Sequence, residues 1–362
     1  MRILVNDIAA SKTGALSILQ DFYQYVRQEE SGHEWIFLLS GDYLEETDKI
    51  RIRVIKDVKK GWLHRLYFDF FSFGKLIREY RPDVFFSMQN TLPRKCGCRQ
   101  VLYVHQPLGF QKTKRFSPFK KSEREYAIYQ HLIARLIDRS IVRADKTIVQ
   151  TAWMRDAVIK KTHVDAGKVI SILPDIKDLS SYRDSLAISP NTFFFPSGNI
   201  LYKNHKLLYL AAEILLGRGI SDFVIRVTLT EEELRSNIGN AKPEVLARFD
   251  CMGRIERETV YELYAKSVLL FPSYIETFGY PPAEARAIGS LVLASDCPFC
   301  REVLAGYENA YFFDPFDAKA LADLMEGVMT GKIRHEKPAS PVNGRQNSWE
   351  QVVNVLTEND NT

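Results

Sequence analysis

Residues 268–294, VLLFPSYIETFGYPPAEARAIGSLVLA, constrain the fold more than any other stretch. The apolar runs at 268–271 and 291–294 are short and continuous, and they read as buried strands. Between them lie a loop and a short helix that starts near Pro281. Proline suits a first helical position, because its missing N–H would have no partner there. Gly289 ends the helix, where a left-handed residue is commonly needed. The unit is therefore strand–loop–helix–strand, with the loop at a strand's carboxyl end. Open α/β sheets bind ligands along that edge. Strands alternate with helices in both halves of the chain, so each half is expected to hold a mostly parallel sheet.

Two carboxylates mark this loop. Glu276 lies within it, and Glu284 lies eight residues on, expected in the helix's first turn. Thr277, Phe278, Gly279 and Tyr280 place backbone N–H groups near the positive end of the helix, which favours an anion such as phosphate. A carboxylate among such donors accepts sugar or ribose hydroxyls. Singly, either glutamate is as easily an ordinary loop or helix acid. Together, they suit a ligand with both phosphates and hydroxyls.

The run E-T-F-G-Y-P-P-A-E resembles the E-x7-E signature of retaining GT-B glycosyltransferases of the family 4, or group 1, type. SLVLASD and EVLAGYENAYFFDPFDAKALADLM resemble that family's continuation. The resemblance implies an α/β GT-B fold, two Rossmann-like doubly wound domains facing across a cleft. It further implies a metal-independent hexosyltransferase. A sugar would pass from a nucleotide-diphosphate donor to a hydroxyl acceptor with retained configuration, in bacterial cell-surface polysaccharide or lipopolysaccharide synthesis. Glu284 would hold the ribose hydroxyls and Glu276 those of the transferred sugar. Phe278, Gly279 and Tyr280 would offer backbone N–H groups. A sugar-nucleotide epimerase, a phosphorylase and a non-catalytic nucleotide-sugar-binding protein remain alternatives on the same fold.

The 362 residues suffice for two domains. The expected division is 1–175 as an acceptor-binding domain, 176–191 as a linker and 192–345 as the nucleotide-sugar-binding domain. A helix at 346–358 returns to the first domain. The net charge of +4 does not imply nucleic acid, and none is expected as a partner. No apolar run reaches the roughly eighteen residues of a spanning helix. MRILVNDIAA reads as a first strand rather than a signal peptide. Five cysteines at low density suit a reducing cytoplasm. Cys96-Gly-Cys98 and Cys297-x-x-Cys300 have the spacing of a zinc or redox site but lack supporting context, so they read as packed thiols. No metal or cofactor is expected, and no Asp-x-Asp occurs to clamp one on a diphosphate.

Along the first half, Gly14 is expected in a turn between strand 2–6 and a helix from Ala15. By resemblance this loop approaches the donor or the acceptor. The fingerprints G-x-G-x-x-G and G-x-x-x-x-G-K are absent. Residues 59–80 read as an aromatic-rich helix holding Trp62, Tyr67, Phe68, Phe70, Phe71 and Phe73. A strand at 101–104 runs into His105, and the family places a histidine there near the reacting sugar. Gln106 replaces the acid that usually follows it. Segment 112–143 holds nine Lys/Arg and three Asp/Glu with interleaved aromatics. That pattern suits an anionic membrane surface or a diphosphate-bearing acceptor, and equally a solvated helix face. The partners implied are a nucleotide sugar and a glycan or lipid-linked acceptor, at the inner face of the cytoplasmic membrane.

In the second half, Gly198-Asn199 replaces the family's Gly-Arg, removing an arginine's share of phosphate neutralisation. Lys203, His205 and Lys206 gather at a helix N-terminus, where the macrodipole disfavours cations unless an anion binds. Lys203 is the expected phosphate ligand. By resemblance, the backbone of Gly253, Arg254 and Ile255 faces the nucleotide base.

Overall fold

The computed structural model describes residues 1–10, 13–55, 73–93, 96–336 and 347–358. The chain divides into two compact units. One comprises Met1–Phe110, Glu125–Leu173 and Asn347–Thr362, the other Gln111–Arg124 and Pro174–Gln346.

The first unit runs β1 (Arg2–Asn6), α1 (Thr13–Gln28), β2 (Glu34–Leu39), β3 (Ile50–Val54), α2 (Phe73–Tyr80), β4 (Val84–Ser87) and β5 (Arg99–Val104). It continues through α3 (Arg124–Ile128), a π-helical turn (Tyr129–Ile133), α4 (Ala134–Arg143), β6 (Lys146–Val149), α5 (Ala152–Thr162) and β7 (Val169–Ser171). Its strands form one parallel sheet in the order β3-β2-β1-β4-β5-β6-β7. Central strands such as VFFS are fully buried, because helices cover both faces of a parallel sheet. Phe22 of α1 packs edge-on to Trp35 at 5.7 Å and Phe86 at 5.6 Å. Burying a phenylalanine side chain completely contributes about 2–3 kcal/mol.

The second unit runs β8 (Ser189–Phe195), α6 (His205–Gly217), β9 (Val224–Val227), α7 (Glu231–Ile238), α8 (Pro243–Leu246), β10 (Phe249–Cys251) and α9 (Arg257–Lys266). Then come β11 (Ser267–Phe271), α10 (Tyr280–Ile288), β12 (Val292–Ser295), α11 (Pro298–Val303), β13 (Ala310–Phe313) and α12 (Ala318–Met329). Its sheet is also parallel, in the order β10-β9-β8-β11-β12-β13. Winding proceeds outward from β8 to β10, then restarts at β11 in the other direction. The loops after β8 and β11 therefore diverge at a topological switch point, where such sheets bind ligands. The last helix, α13 (Ser348–Thr357), belongs to the first unit, where Trp349 lies 5.0 Å from Phe22.

Three sequence expectations need adjustment, and a fourth lies largely outside the described residues. Residues 176–191 are not a free linker. Ala187 N donates to Ala265 O at 2.9 Å, Arg183 Nε donates to Ala287 O at 2.8 Å, and β8 begins at Ser189. Residues 111–124 group with the second unit although they lie in the first half. Gly14 is the second residue of α1 rather than a turn residue. Of the aromatic-rich helix at 59–80, only the part from Phe73 is described; Trp62, Tyr67, Phe68, Phe70 and Phe71 lie outside the described residues.

Candidate active site

At the switch point of the second sheet, the loops after β8 and β11 are stapled together. Asn204, left-handed at φ 66°, caps α6 and donates its amide to Pro272 O at 3.2 Å and Pro315 O at 2.7 Å. Tyr274 N donates to Tyr202 O at 3.1 Å. This junction brings Lys203 to Glu276, with Nζ–Oε1 at 2.5 Å and both side chains largely buried. Ser273 Oγ donates to the same carboxylate oxygen at 2.6 Å. An ammonium has three donors, and Glu276 takes one of them. The pair thus combines an acceptor for hydroxyls with a cation for phosphate at one edge.

His205 is not a third cation. Its ring is buried against Phe195 at 5.2 Å, and Nε2 lies 2.8 Å from Ser197 Oγ. Burial, aided by Lys203, pushes its pKa down to about 4, so the imidazole is neutral near pH 7.

Glu284 falls in the second turn of α10 rather than the first, and it is 7% exposed. It turns to α9, where Arg257 Nη2 reaches Oε1 at 3.0 Å and Tyr264 OH donates to Oε2 at 3.2 Å. Desolvation raises its pKa, and Arg257 opposes that rise. Burial works against the charge of Arg257, but the neighbouring Glu284 outweighs it and the guanidinium's pKa is raised. Glu276 and Glu284 therefore face different neighbours, and a ligand using both must span the start of α10.

Gly279 caps that start at φ 94°, and a Cβ there would lie 3.3 Å from Pro282 Cγ. Pro281 and Pro282 remove two N–H donors from the first turn, so the backbone N–H groups at this helix start are those of Phe278, Gly279 and Tyr280. Gly279→Ala should lower unfolding free energy by about 1–3 kcal/mol from the left-handed strain, measured by urea denaturation.

The remaining expected donor contacts vary. Space is open beside Gly198, where an added Cβ would meet nothing. Asn199 Oδ1 accepts from Asn237 Nδ2 at 2.8 Å, which engages its amide with α7. Gly253, at φ 64°, follows β10 and leads into exposed Arg254 and half-buried Ile255.

In the first unit, His105 follows β5. Its backbone N donates to Asn90 Oδ1 at 2.7 Å, and Nε2 lies 3.3 Å from Asn90 Nδ2. Burial pushes its pKa down to about 4, so it is a weak base. Gln106 does not orient it. That amide instead accepts from Leu108 N at 3.2 Å in a local turn. Asn90, at φ 67°, is the residue that fixes the imidazole. The cysteines after β12 are packed: Cys297 Sγ faces Tyr274 O and Cys300 is fully buried.

Sequence reasoning missed Asn204, Ser273, Arg257, Tyr264 and Asn90. Of these, Asn204 carried a readable signal as a left-handed-tolerant residue before a helix.

Residues 181–343 match the family model described as Glycosyl transferases group 1. The O-antigen chain mannosyltransferase RfbU of Salmonella typhimurium is 24% identical over 53% of this chain and 53% of its own. A serotype-specific mannosyltransferase WbdA of Escherichia coli is 23% identical over 67% of this chain and 29% of its own. The chain thus spans about half the length of RfbU and under a third of that of WbdA. Among solved structures, sucrose-phosphate synthase of Thermosynechococcus elongatus superposes with TM-score 0.67 at 17% identity, covering 98% of this chain and 94% of that one. WaaG, a glycosyltransferase involved in lipopolysaccharide biosynthesis, superposes with TM-score 0.66 at 13% identity, covering 99% of this chain and all of its own.

Proposed function

We propose that this chain, with the GT-B fold and a second unit of the group 1 type, transfers a sugar from a nucleotide-diphosphate donor to a hydroxyl of a growing surface polysaccharide. The observation that carries the reading is the Lys203–Glu276 pair at the switch point of the second sheet. Glu276 accepts hydroxyls of the transferred sugar. Lys203 keeps its contact with Glu276 and turns a second donor to the diphosphate, stabilising the leaving group as the glycosidic bond breaks. Glu284 accepts the ribose hydroxyls, and the backbone of 253–255 faces the base. No metal is assigned to the diphosphate, and no enzymic nucleophile is required when the departing phosphate assists, with retention of configuration. Mannose is the sugar the curated relatives' names support.

A thermal-shift screen across UDP-, GDP- and ADP-sugars tests this, followed by transfer assays with the donor that binds. One nucleotide sugar should raise Tm, and its turnover should require an acceptor and survive chelator. Absence of any shift across the panel would remove the reading. Epimerisation without acceptor would move it to the second reaction class on this fold.

A further inference from the structure

Two of the five cysteines meet. Just before β5, Cys96 Sγ and Cys98 Sγ lie 2.9 Å apart as free thiols. That gap is under about 1 Å wider than an S–S bond of roughly 2.05 Å. Sequence spacing alone does not produce it. A fully extended chain holds residues two apart at roughly 7 Å between Cα atoms, the outer limit for a disulfide. Here the chain bends at Gly97 and Cys98, which brings the two sulfurs together. Gly97 is exposed, and an added Cβ there would meet nothing within 4 Å, so nothing crowds the bend as the sulfurs close. Both cysteines are half-buried, packed against the cluster that holds Phe85, Leu102 and Ile141.

The two thiols are not equivalent. The hydrogen bond with Cys98 lowers the pKa of Cys96, and the same bond, with burial, raises that of Cys98. The pair therefore shares one proton, and Cys96 is the sulfur with thiolate character, the form that reacts. The other three thiols shift the opposite way. Burial raises the pKa of Cys251 and Cys300, and pushes that of Cys297 up to about 11. A structural zinc takes four ligands, whereas no group of three His, Cys, Asp or Glu among the described residues could hold a metal. A disulfide enclosing one residue removes little freedom from the unfolded chain, so it is no staple either. What such a pair suits is reversible oxidation, which needs an accessible thiolate beside a second thiol.

We propose that Cys96-Gly97-Cys98 is an oxidation site, where a hydroperoxide oxidises Cys96 and Cys98 closes the disulfide. The Cys96 thiolate attacks one peroxide oxygen, and the O–O bond breaks. Sulfur keeps that oxygen as a sulfenic acid, and the departing hydroxide takes the shared proton from Cys98. Cys98, now a thiolate, attacks the Cys96 sulfur. The S–S bond forms as the S–O bond breaks, and the second hydroxide is protonated by solvent. Two thiols and hydrogen peroxide give one disulfide and two waters. Capture by Cys98 keeps Cys96 from the irreversible oxidation states that follow sulfenic acid.

The reduced full chain is treated with stoichiometric hydrogen peroxide, blocked with N-ethylmaleimide and mapped by mass after trypsin. Cleavage after Lys95 and Arg99 releases both thiols in one peptide. That peptide should lose the mass of two hydrogens, refuse maleimide and regain both on treatment with dithiothreitol. Cys251, Cys297 and Cys300 should keep their thiols at the same dose. In Cys98→Ser, dimedone should label Cys96, and excess peroxide should add two or three oxygens that dithiothreitol does not remove. In Cys96→Ser, Cys98 should oxidise several-fold more slowly than Cys96 does in Cys98→Ser. The proposal is overturned if peptide 96–99 of the wild type still takes two maleimides after peroxide, or if Cys251 oxidises first. It is also overturned if the disulfide joins two chains on a non-reducing gel, or if Cys98→Ser yields no dimedone adduct. Circular-dichroism melting checks that the serine variants fold, and the wild-type map decides the matter without them. No readout depends on sugar transfer, so this site and the proposed reaction fail separately.

Discussion

Lys203→Met should cut sugar transfer about 10²–10³-fold, the usual loss when one group stabilising transition-state charge is removed. The same change should destabilise the fold by up to about 3–5 kcal/mol, because it leaves a largely buried carboxylate without its cation. The two effects separate in the double variant Lys203→Met/Glu276→Gln. There, two neutral side chains of similar size replace the pair, and Ser273 still has an oxygen to donate to. Urea unfolding should show most of the lost stability restored, since a buried ion pair adds little over well-packed neutral groups. Transfer should stay as low as in the single variant or fall further. A double variant that regains both stability and turnover would mean the pair only holds two loops together, and the active site would have to be sought elsewhere.

The sheet-forming parts of the chain were legible because parallel strands buried on both faces are written as unbroken apolar runs. VLLF and SLVLA could hardly become anything else, and the short helix between them was bounded by Pro281 and Gly289. The pairing of Lys203 with Glu276, 73 residues apart, was legible only as two separate candidates. What joins them is strand order, which places β8 beside β11, and strand order leaves no local mark in sequence. The expectation for His205 failed for a related reason. A histidine between two lysines reads as charged, yet the helix turns it beneath Phe195, and burial keeps it neutral. Gln106 was read as the substitute for an orienting acid, but the backbone after β5 bends so that Asn90, from the neighbouring β4 loop, takes that place. Residues 176–191 read as a linker because they are polar and aperiodic. Periodicity reports faces of regular elements and is silent about irregular chain anchored by single bonds such as Arg183 to Ala287 O. Arg257 was invisible because surface arginines at helix starts are common. Only the fold shows that α9 points this one at the buried carboxylate of α10.

Arg257 gives Glu284 a pH dependence that can be measured. Burial raises the Glu284 pKa, and Arg257 is the main force holding it down. An acid titrating above its usual range in the folded state stabilises the fold when protonated. That contribution is complete below its unfolded pKa and is lost as pH rises through the folded one. Under the proposed ribose contact binding runs the other way, because two ribose hydroxyls would need the ionised, acceptor-only carboxylate. Donor affinity should therefore fall as the solution is acidified through the folded pKa of Glu284, while this residue's share of stability grows. Glu284→Gln should weaken donor binding about 10–100-fold at neutral pH, the range for hydrogen bonds to a charged group. Arg257→Met removes the opposing charge and should move the acid-side fall in affinity to higher pH. At neutral pH its loss should be smaller than that of Glu284→Gln, and Arg257→Lys should return the profile most of the way. Calorimetric titration of the donor from neutral to mildly acidic pH reads all three variants. If the Arg257→Met profile superimposes on the wild type, the guanidinium only packs on Tyr261, 5.8 Å away, and Glu284 owes its charge to another group. If the profile shifts as expected, an exposed arginine outside the E-x7-E run sets the pH at which the donor site is competent.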